Sequence, residues 1–92
     1  MNQSEVLDGV KGYISREVLD GKDIGLEGST PLLEWGIINS IELVRIVSFI
    51  QDRFSVKVPA DKILPDNFKN LTSITNLVVE LARSQRAESH QS

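Results

Sequence analysis

Ser40 is the residue whose type and position best suit chemistry in this chain. It lies in the run WGIINSIEL, residues 35–43, where a glycine turn delivers one hydroxyl to the start of an apolar-periodic segment. If that segment is a helix, its first turn carries unpaired backbone N–H groups and the positive end of the helix dipole. Both favour a phosphate esterified to the serine. The pattern therefore suits a covalently attached phosphate or phosphodiester.

A helix cap is the simpler interpretation of the same serine, and position alone favours it. Serine and asparagine occupy the cap position at most helix starts because their side chains accept hydrogen bonds from free backbone N–H groups. Asn39 directly precedes Ser40. It can supply the cap and leave the Ser40 hydroxyl facing solvent.

No other set of residues forms a recognisable catalytic site. An enzyme needs a positioned base, nucleophile or metal ion. His90 is the only histidine and lies in the polar C-terminal segment, and the chain has no cysteine. Acidic pairs such as Glu27 with Glu34 do not have a metal-ligand spacing. We therefore assign no catalytic residue and expect neither catalysis nor a metal site.

Length and composition indicate one small globular domain. The chain has 92 residues, of which 40% are apolar and 25% charged. Its formal net charge of −3 offers no basic surface for nucleic acid or an anionic membrane. It has no secretory core or membrane-spanning apolar run. We expect one domain over 1–86, a flexible tail over 87–92, a monomer and a cytoplasmic location.

Two helices are predicted at the ends of the domain. From Ser4 to Leu19 apolar residues recur at three- and four-residue steps, with Ser4 as a possible cap and Asp20-Gly21 as a stop. The last helix is predicted to begin at Thr72 or Ser73 and to end near residues 82–86. One short helical turn is expected within 60–64 and another within 66–70, with Phe68 turned inward.

The strongest helical pattern begins at Ser40 and runs to Phe54. On a helical wheel, four apolar residues fall within an arc of about 60°; they are Leu43, Val47, Ile50 and Phe54. Ile41 falls on the opposite, polar side. Before this helix, residues 21–39 form a long loop rich in glycine but apolar enough to pack on the core. The sum is an all-α bundle of three main helices plus one or two short ones.

The residues around Ser40 resemble the modification motif of acyl carrier proteins. The run TPLLEWGIINSI, residues 30–41, is similar to a motif whose core is Asp-Ser-Leu and which often reads Gly-Ile-Ile-Asp-Ser-Leu in discrete biosynthetic members. Asn39 and Ile41 replace the usual Asp and Leu. Phe54 lies where the family commonly has Glu-Phe-Gly, and segments 58–59 and 65–68 look like its later loop and short helix. The resemblance covers about Val6 to Ala82.

This resemblance implies transport rather than catalysis. Ser40 matches the serine that receives 4′-phosphopantetheine from coenzyme A, whose terminal thiol holds an acyl or aminoacyl group as a thioester. The implied partners are a phosphopantetheinyl transferase, a loading enzyme, and downstream synthase or tailoring enzymes. The implied partner-binding residues are Asn39, Ile41, Glu42, Val44, Arg45, Ile63 and Phe68. For Ile63 and Phe68, core packing is the alternative, and for Glu42 and Arg45 a solvated helix face.

The charge pattern after Ser40 favours a specialised pathway. Carriers of fatty acid synthesis typically have an acidic helix here, whereas Arg45 and Arg53 dilute Glu42 and Asp52 in this chain. A free-standing carrier in polyketide, nonribosomal peptide or related secondary metabolism is therefore expected. The alternative is an unmodified helical adaptor for protein–protein interaction, in which Ser40 is a cap and Ile41 belongs to a binding surface.

Overall fold

The computed structural model describes residues 2–22 and 24–91, and for residues 86–91 it describes the backbone alone. This part of the chain is helical and contains no strand, which confirms the predicted all-α bundle. Its elements are α1 (Gln3–Tyr13), a π-helical turn (Ile14–Val18), α2 (Ser40–Phe54), two 3₁₀ turns (Ala60–Lys62 and Pro65–Asn67) and α3 (Leu71–Gln91). The two 3₁₀ turns correspond to the short helical turns predicted from sequence.

Helix α1 is capped by Asn2 rather than by Ser4. The Asn2 side chain accepts a hydrogen bond from the Glu5 N–H at 2.8 Å, so the predicted cap is wrong and Ser4 lies inside the first turn. Asparagine competes well for this position because its carbonyl reaches the free N–H groups of the first turn. At the other end, the π-helical turn is followed by Asp20 and Gly21 with φ of 53° and 80°, which confirms the predicted stop.

The loop between the π-helical turn and α2 is held at Leu32, which is fully buried. The Leu32 N–H donates to the Lys69 carbonyl at 2.8 Å, and the Leu32 carbonyl accepts from the N–H groups of Ile37 and Ile38 at 2.8 and 3.2 Å. Gly36, with φ of 70°, provides the reversal that this closed turn needs. Leu26 and Ile38 are buried on either side, so the loop packs on the core as predicted.

Trp35 departs from this packing. The loop as a whole is expected to pack on the core, yet Trp35 is 67% exposed. The reason lies in the closed turn, because the Trp35 N–H donates to the Pro31 carbonyl and the residue sits just before the Gly36 reversal. The side chain at the outside of that reversal projects away from Leu32 and the core.

Helix α2 has the bounds that the sequence predicts, but its buried face is shifted. The buried residues are Leu43, Ile46, Ile50 and Phe54, whereas Val47 is half-buried. On the helical wheel Ile46 lies beside Ile50, on one side of the predicted stripe, and Val47 lies at its other edge. The helix ends at Ser55, whose φ of 57° is left-handed. A serine therefore takes the conformation that glycine adopts most easily.

Helix α3 starts at Leu71 because Asn70 caps it. The Asn70 side chain accepts from the Ser73 N–H at 2.8 Å, so the start predicted at Thr72 or Ser73 is slightly late. The helix continues to Gln91, past the end predicted near residues 82–86. The flexible tail predicted over 87–92 stays a prediction, and Ser92 lies outside the described residues. His90 belongs to the segment whose side chains are not described.

Phe68 contradicts part of the predicted partner surface. It is 0% exposed and belongs to the same core cluster as Ile46, Leu71 and Ile74. It therefore cannot line a path for a ligand or contact a partner in this conformation. Burial of the ring stabilises this arrangement, because moving a phenylalanine side chain out of water contributes about 2–3 kcal/mol.

Among residues 2–22 and 24–91, no helix combines the length and apolar character that crossing a bilayer requires.

Phe68→Ala should destabilise the fold strongly, because removing a fully buried ring leaves a cavity. We expect a loss of about 3–5 kcal/mol in the free energy of unfolding, measured by urea titration. The matched control is Leu64→Ala, since Leu64 is nearby in the chain but 49% exposed. Its cost should stay within about 0.5 kcal/mol. Equal effects of the two changes would contradict the placement of Phe68.

Gly9→Ala should destabilise the α1–α2 contact, whereas Gly12→Ala should not. A Cβ at Gly9 would lie 2.7 Å from Cζ of the buried Phe54 ring, so the ring must move. A Cβ at Gly12 would meet only the guanidinium end of Arg16 at 3.0 Å, which can swing away. Both changes improve helix propensity equally. The free energy of unfolding, measured by thermal unfolding, should therefore be about 1–3 kcal/mol lower for Gly9→Ala than for Gly12→Ala.

Candidate functional site

The site begins with a capping box at the start of α2. The Asn39 side-chain oxygen accepts from the Glu42 N–H at 2.9 Å, and the Glu42 carboxylate accepts from the Asn39 N–H at 2.9 Å. The Asn39 backbone is extended, with φ of −115°, while Ser40 is the first helical residue. Two N–H groups that a helix start normally leaves free are thus paired reciprocally.

This cap leaves Ser40 available. Its side chain is exposed, and among the described residues none hydrogen-bonds its hydroxyl. The backbone N–H groups of Ser40 and Ile41 are likewise unpaired in the described part of the chain, as expected for the first positions of a helix. The helix dipole adds a positive field at this turn. A free hydroxyl thus lies where a phosphodiester is electrostatically favoured, so these residues fit a phosphopantetheine group.

Two apolar side chains next to Ser40 are open to solvent. Ile41 is 67% exposed and Val44 is 59% exposed, one helical turn apart on α2. We call these two residues the Ile41–Val44 patch. The two side chains are neighbours on one face of α2. The exposed side chain of Arg45 follows the patch directly.

The remaining predicted site residues are less accessible. Asn39 is exposed, but its side chain is engaged in the capping box, and Glu42 is half-buried with its carboxylate bound to a backbone N–H. Ile63 is half-buried and packs against the core cluster. Of the predicted partner residues, the exposed ones are therefore Asn39, Ile41, Val44 and Arg45, at the start of α2.

A groove between α1 and α2 was not foreseen from the sequence. It has a volume of about 480 Å³ and its walls include Tyr13, Val44, Arg45, Phe49 and Arg53. The rings of Tyr13 and Phe49 stack with their centroids 4.5 Å apart. On the helical wheel Phe49 lies beside the buried Ile46 at the edge of the core face. It is half-buried and packs against the core cluster, and an aromatic residue at that edge is the signal that points to such a groove. Val44 belongs both to this groove and to the Ile41–Val44 patch.

Comparison with known proteins gives consistent results for the whole domain. The family described as "Phosphopantetheine attachment site" matches residues 10–78. The "Probable acyl carrier protein PigG" of Serratia sp. (strain ATCC 39006) is 33% identical over 69 residues, which cover 75% of this chain and 79% of that protein.

A solved structure has the same fold. A chain in the "Crystal structure of FAD-dependent dehydrogenase" superposes with a TM-score of 0.70 and is 33% identical, over 76% of this chain and 99% of that chain. The match to the phosphopantetheine attachment family covers the end of α1, the loop, α2 and the first part of α3. Members of that family are non-catalytic carriers whose cofactor is covalently bound 4′-phosphopantetheine, so the chain belongs to the acyl carrier protein family.

Proposed function

We propose that Ser40 is the residue that carries 4′-phosphopantetheine and that the protein presents a thioester-bound acyl or aminoacyl group to successive enzymes. The observation that carries this proposal is the exposed Ser40 hydroxyl, which is free because Asn39 caps α2 in its place. When bound, the cofactor supplies the terminal thiol that forms the thioester.

The residues of the chain supply position and charge rather than catalysis. The Ser40 oxygen forms an ester bond to the phosphorus of coenzyme A that carries the pantetheine arm. The pyrophosphate P–O bond breaks, adenosine 3′,5′-bisphosphate leaves, and a base of the transferase takes the serine proton. The unpaired N–H groups of Ser40 and Ile41 belong to the same helical turn and favour the negative charge of the phosphodiester. The fixed capping box keeps this turn in place during each transfer.

Partner enzymes are proposed to bind the exposed face of α2. The Ile41–Val44 patch supplies apolar area beside the attachment point, and Arg45 is a charge at its edge that orients the partner. The phosphopantetheinyl transferase must contact this face because it acts on Ser40. A loading enzyme and downstream synthase or tailoring enzymes need the same access to the cofactor.

A flavin-dependent dehydrogenase is a proposed downstream partner. The aligned part of this chain accounts for 99% of the compared chain, so that chain is a small carrier-like domain within a structure described as an FAD-dependent dehydrogenase. This supports an enzyme whose FAD accepts two electrons and two protons from the thioester-bound group, giving FADH₂ and a more unsaturated acyl group.

The mixed charge of α2 supports a specialised biosynthetic pathway. Glu42 is engaged in the capping box, and Arg45 and Arg53 offset Asp52 on the groove side of the helix. Such a surface does not present the uniform negative field that basic enzymes of bulk fatty acid synthesis recognise. Cytoplasmic action and a monomeric state remain part of the proposal.

Ser40→Ala should abolish attachment of the cofactor. The unchanged protein, incubated with coenzyme A, magnesium and a broad-specificity phosphopantetheinyl transferase, should gain the mass of one phosphopantetheine by intact-mass spectrometry. Ser40→Ala should gain none. Ser48→Ala is the matched control, because Ser48 is an exposed serine on the same helix. This control should be modified like the unchanged protein.

This experiment distinguishes the proposed carrier function from the alternative of an unmodified adaptor. No mass gain with several transferases, in a protein that remains folded by circular dichroism, would favour the unmodified adaptor. Modification that persists in Ser40→Ala would show that a different residue is the attachment point.

Arg45→Glu should weaken recognition by a partner enzyme without unfolding the protein. Arg45 is exposed on α2 beside the Ile41–Val44 patch, so reversing its charge alters the encounter rather than the core. We expect kcat/KM of the transferase to fall roughly tenfold at low ionic strength. Lys57→Glu makes the same charge change on an exposed residue after α2 and should have little effect. A large loss of thermal stability in Arg45→Glu would contradict a surface role.

A further inference from the structure

Helix α2 has two possible starting residues, because both Asn39 and Ser40 are good helix caps. In the observed start Asn39 is the cap and Ser40 is the first helical residue. In the other start Ser40 would be the cap, and its side-chain oxygen would accept a hydrogen bond from the helix three residues on, at Leu43. That bond would occupy the hydroxyl oxygen that has to react.

Glu42 distinguishes the two starts. A capping box needs a side-chain acceptor three residues after the cap. For Asn39 that residue is Glu42, whose carboxylate accepts from the Asn39 N–H at 2.9 Å. For Ser40 that residue is Leu43, which is buried and has no acceptor group. The Leu43 N–H already donates to the Asn39 carbonyl at 2.9 Å in the observed start.

We propose that Glu42 is a positioning residue: it fixes the start of α2 at Asn39 and so keeps the Ser40 hydroxyl free for modification. This inference rests on the proposed function of Ser40 and assigns Glu42 a role other than that of a charge at the partner surface. Its half-buried side chain and its bond to backbone are consistent with this role.

The test compares the initial rates at which a phosphopantetheinyl transferase modifies four variants. Glu42→Ala should lower kcat/KM about fivefold, the equivalent of losing one helix-capping contact. Glu42→Gln keeps the hydrogen-bond acceptor and removes the charge, so its kcat/KM should be close to that of the unchanged protein. Asn39→Ala should be slower than Glu42→Ala because Ser40 becomes the remaining cap. Asn39→Asp should retain the cap and stay close to the unchanged protein, because aspartate caps a helix as well as asparagine does.

A second readout follows the helix start directly. In the protein without the cofactor, the ¹³C chemical shifts of Ser40 should be helical in the original sequence and in Glu42→Gln. They should move toward extended values in Glu42→Ala and further in Asn39→Ala. A rate in Glu42→Gln as low as that in Glu42→Ala would show that Glu42 acts through its charge, and unchanged Ser40 shifts in Glu42→Ala would also overturn the positioning role. If the unchanged protein is not modified at all, the proposed function fails, while the chemical shifts still test the helix start.

Discussion

The burial of Leu32 is the constraint on which the presentation of Ser40 depends. Its N–H and carbonyl are both used, the first toward Lys69 and the second toward Ile37 and Ile38. A buried main chain has to satisfy its polar groups, and here it does so by closing the loop on itself and on the segment before α3. The closed turn ends at Ile38, which is buried next to Asn39. The direction in which the chain enters α2 is therefore fixed before any capping interaction forms.

The two sides of α2 have separate physical tasks. One side packs Leu43, Ile46 and Ile50 into the core and holds the helix rigid. The other side exposes the Ile41–Val44 patch, at a cost in apolar hydration that the core has to offset. A carrier needs both, because its partners must find the same surface at each step while the cofactor moves. Rigid backbone and accessible side chains thus occur on one element, which suits recognition by several enzymes in turn.

Sequence patterns predict the elements of this fold well where signals are local. The bounds of α2 follow from the Asn39 cap and the apolar spacing, and the stop after α1 follows from Asp20-Gly21. The errors arise where contacts distant in sequence decide. Ile46 is buried although it lies outside the predicted stripe, and Trp35 is exposed although the loop around it packs on the core. Phe68 is turned inward as the sequence predicts, so only its expected place on the partner surface is wrong. The reciprocal bonds of Asn39 and Glu42 were within reach of sequence reasoning, since the cap and the acidic residue have the spacing of a capping box.

The hydrogen bonds that join the loop to the beginning of α3 also determine when, during synthesis of the chain, the loop can be completed. Leu32 is held by Lys69, and Gly28 accepts from Thr72, so the loop before Ser40 is completed by residues that are synthesised after it. A growing chain exposes Ser40 before those residues exist. The loop that leads into α2 can therefore take its observed form only after the chain has been synthesised as far as the first turn of α3.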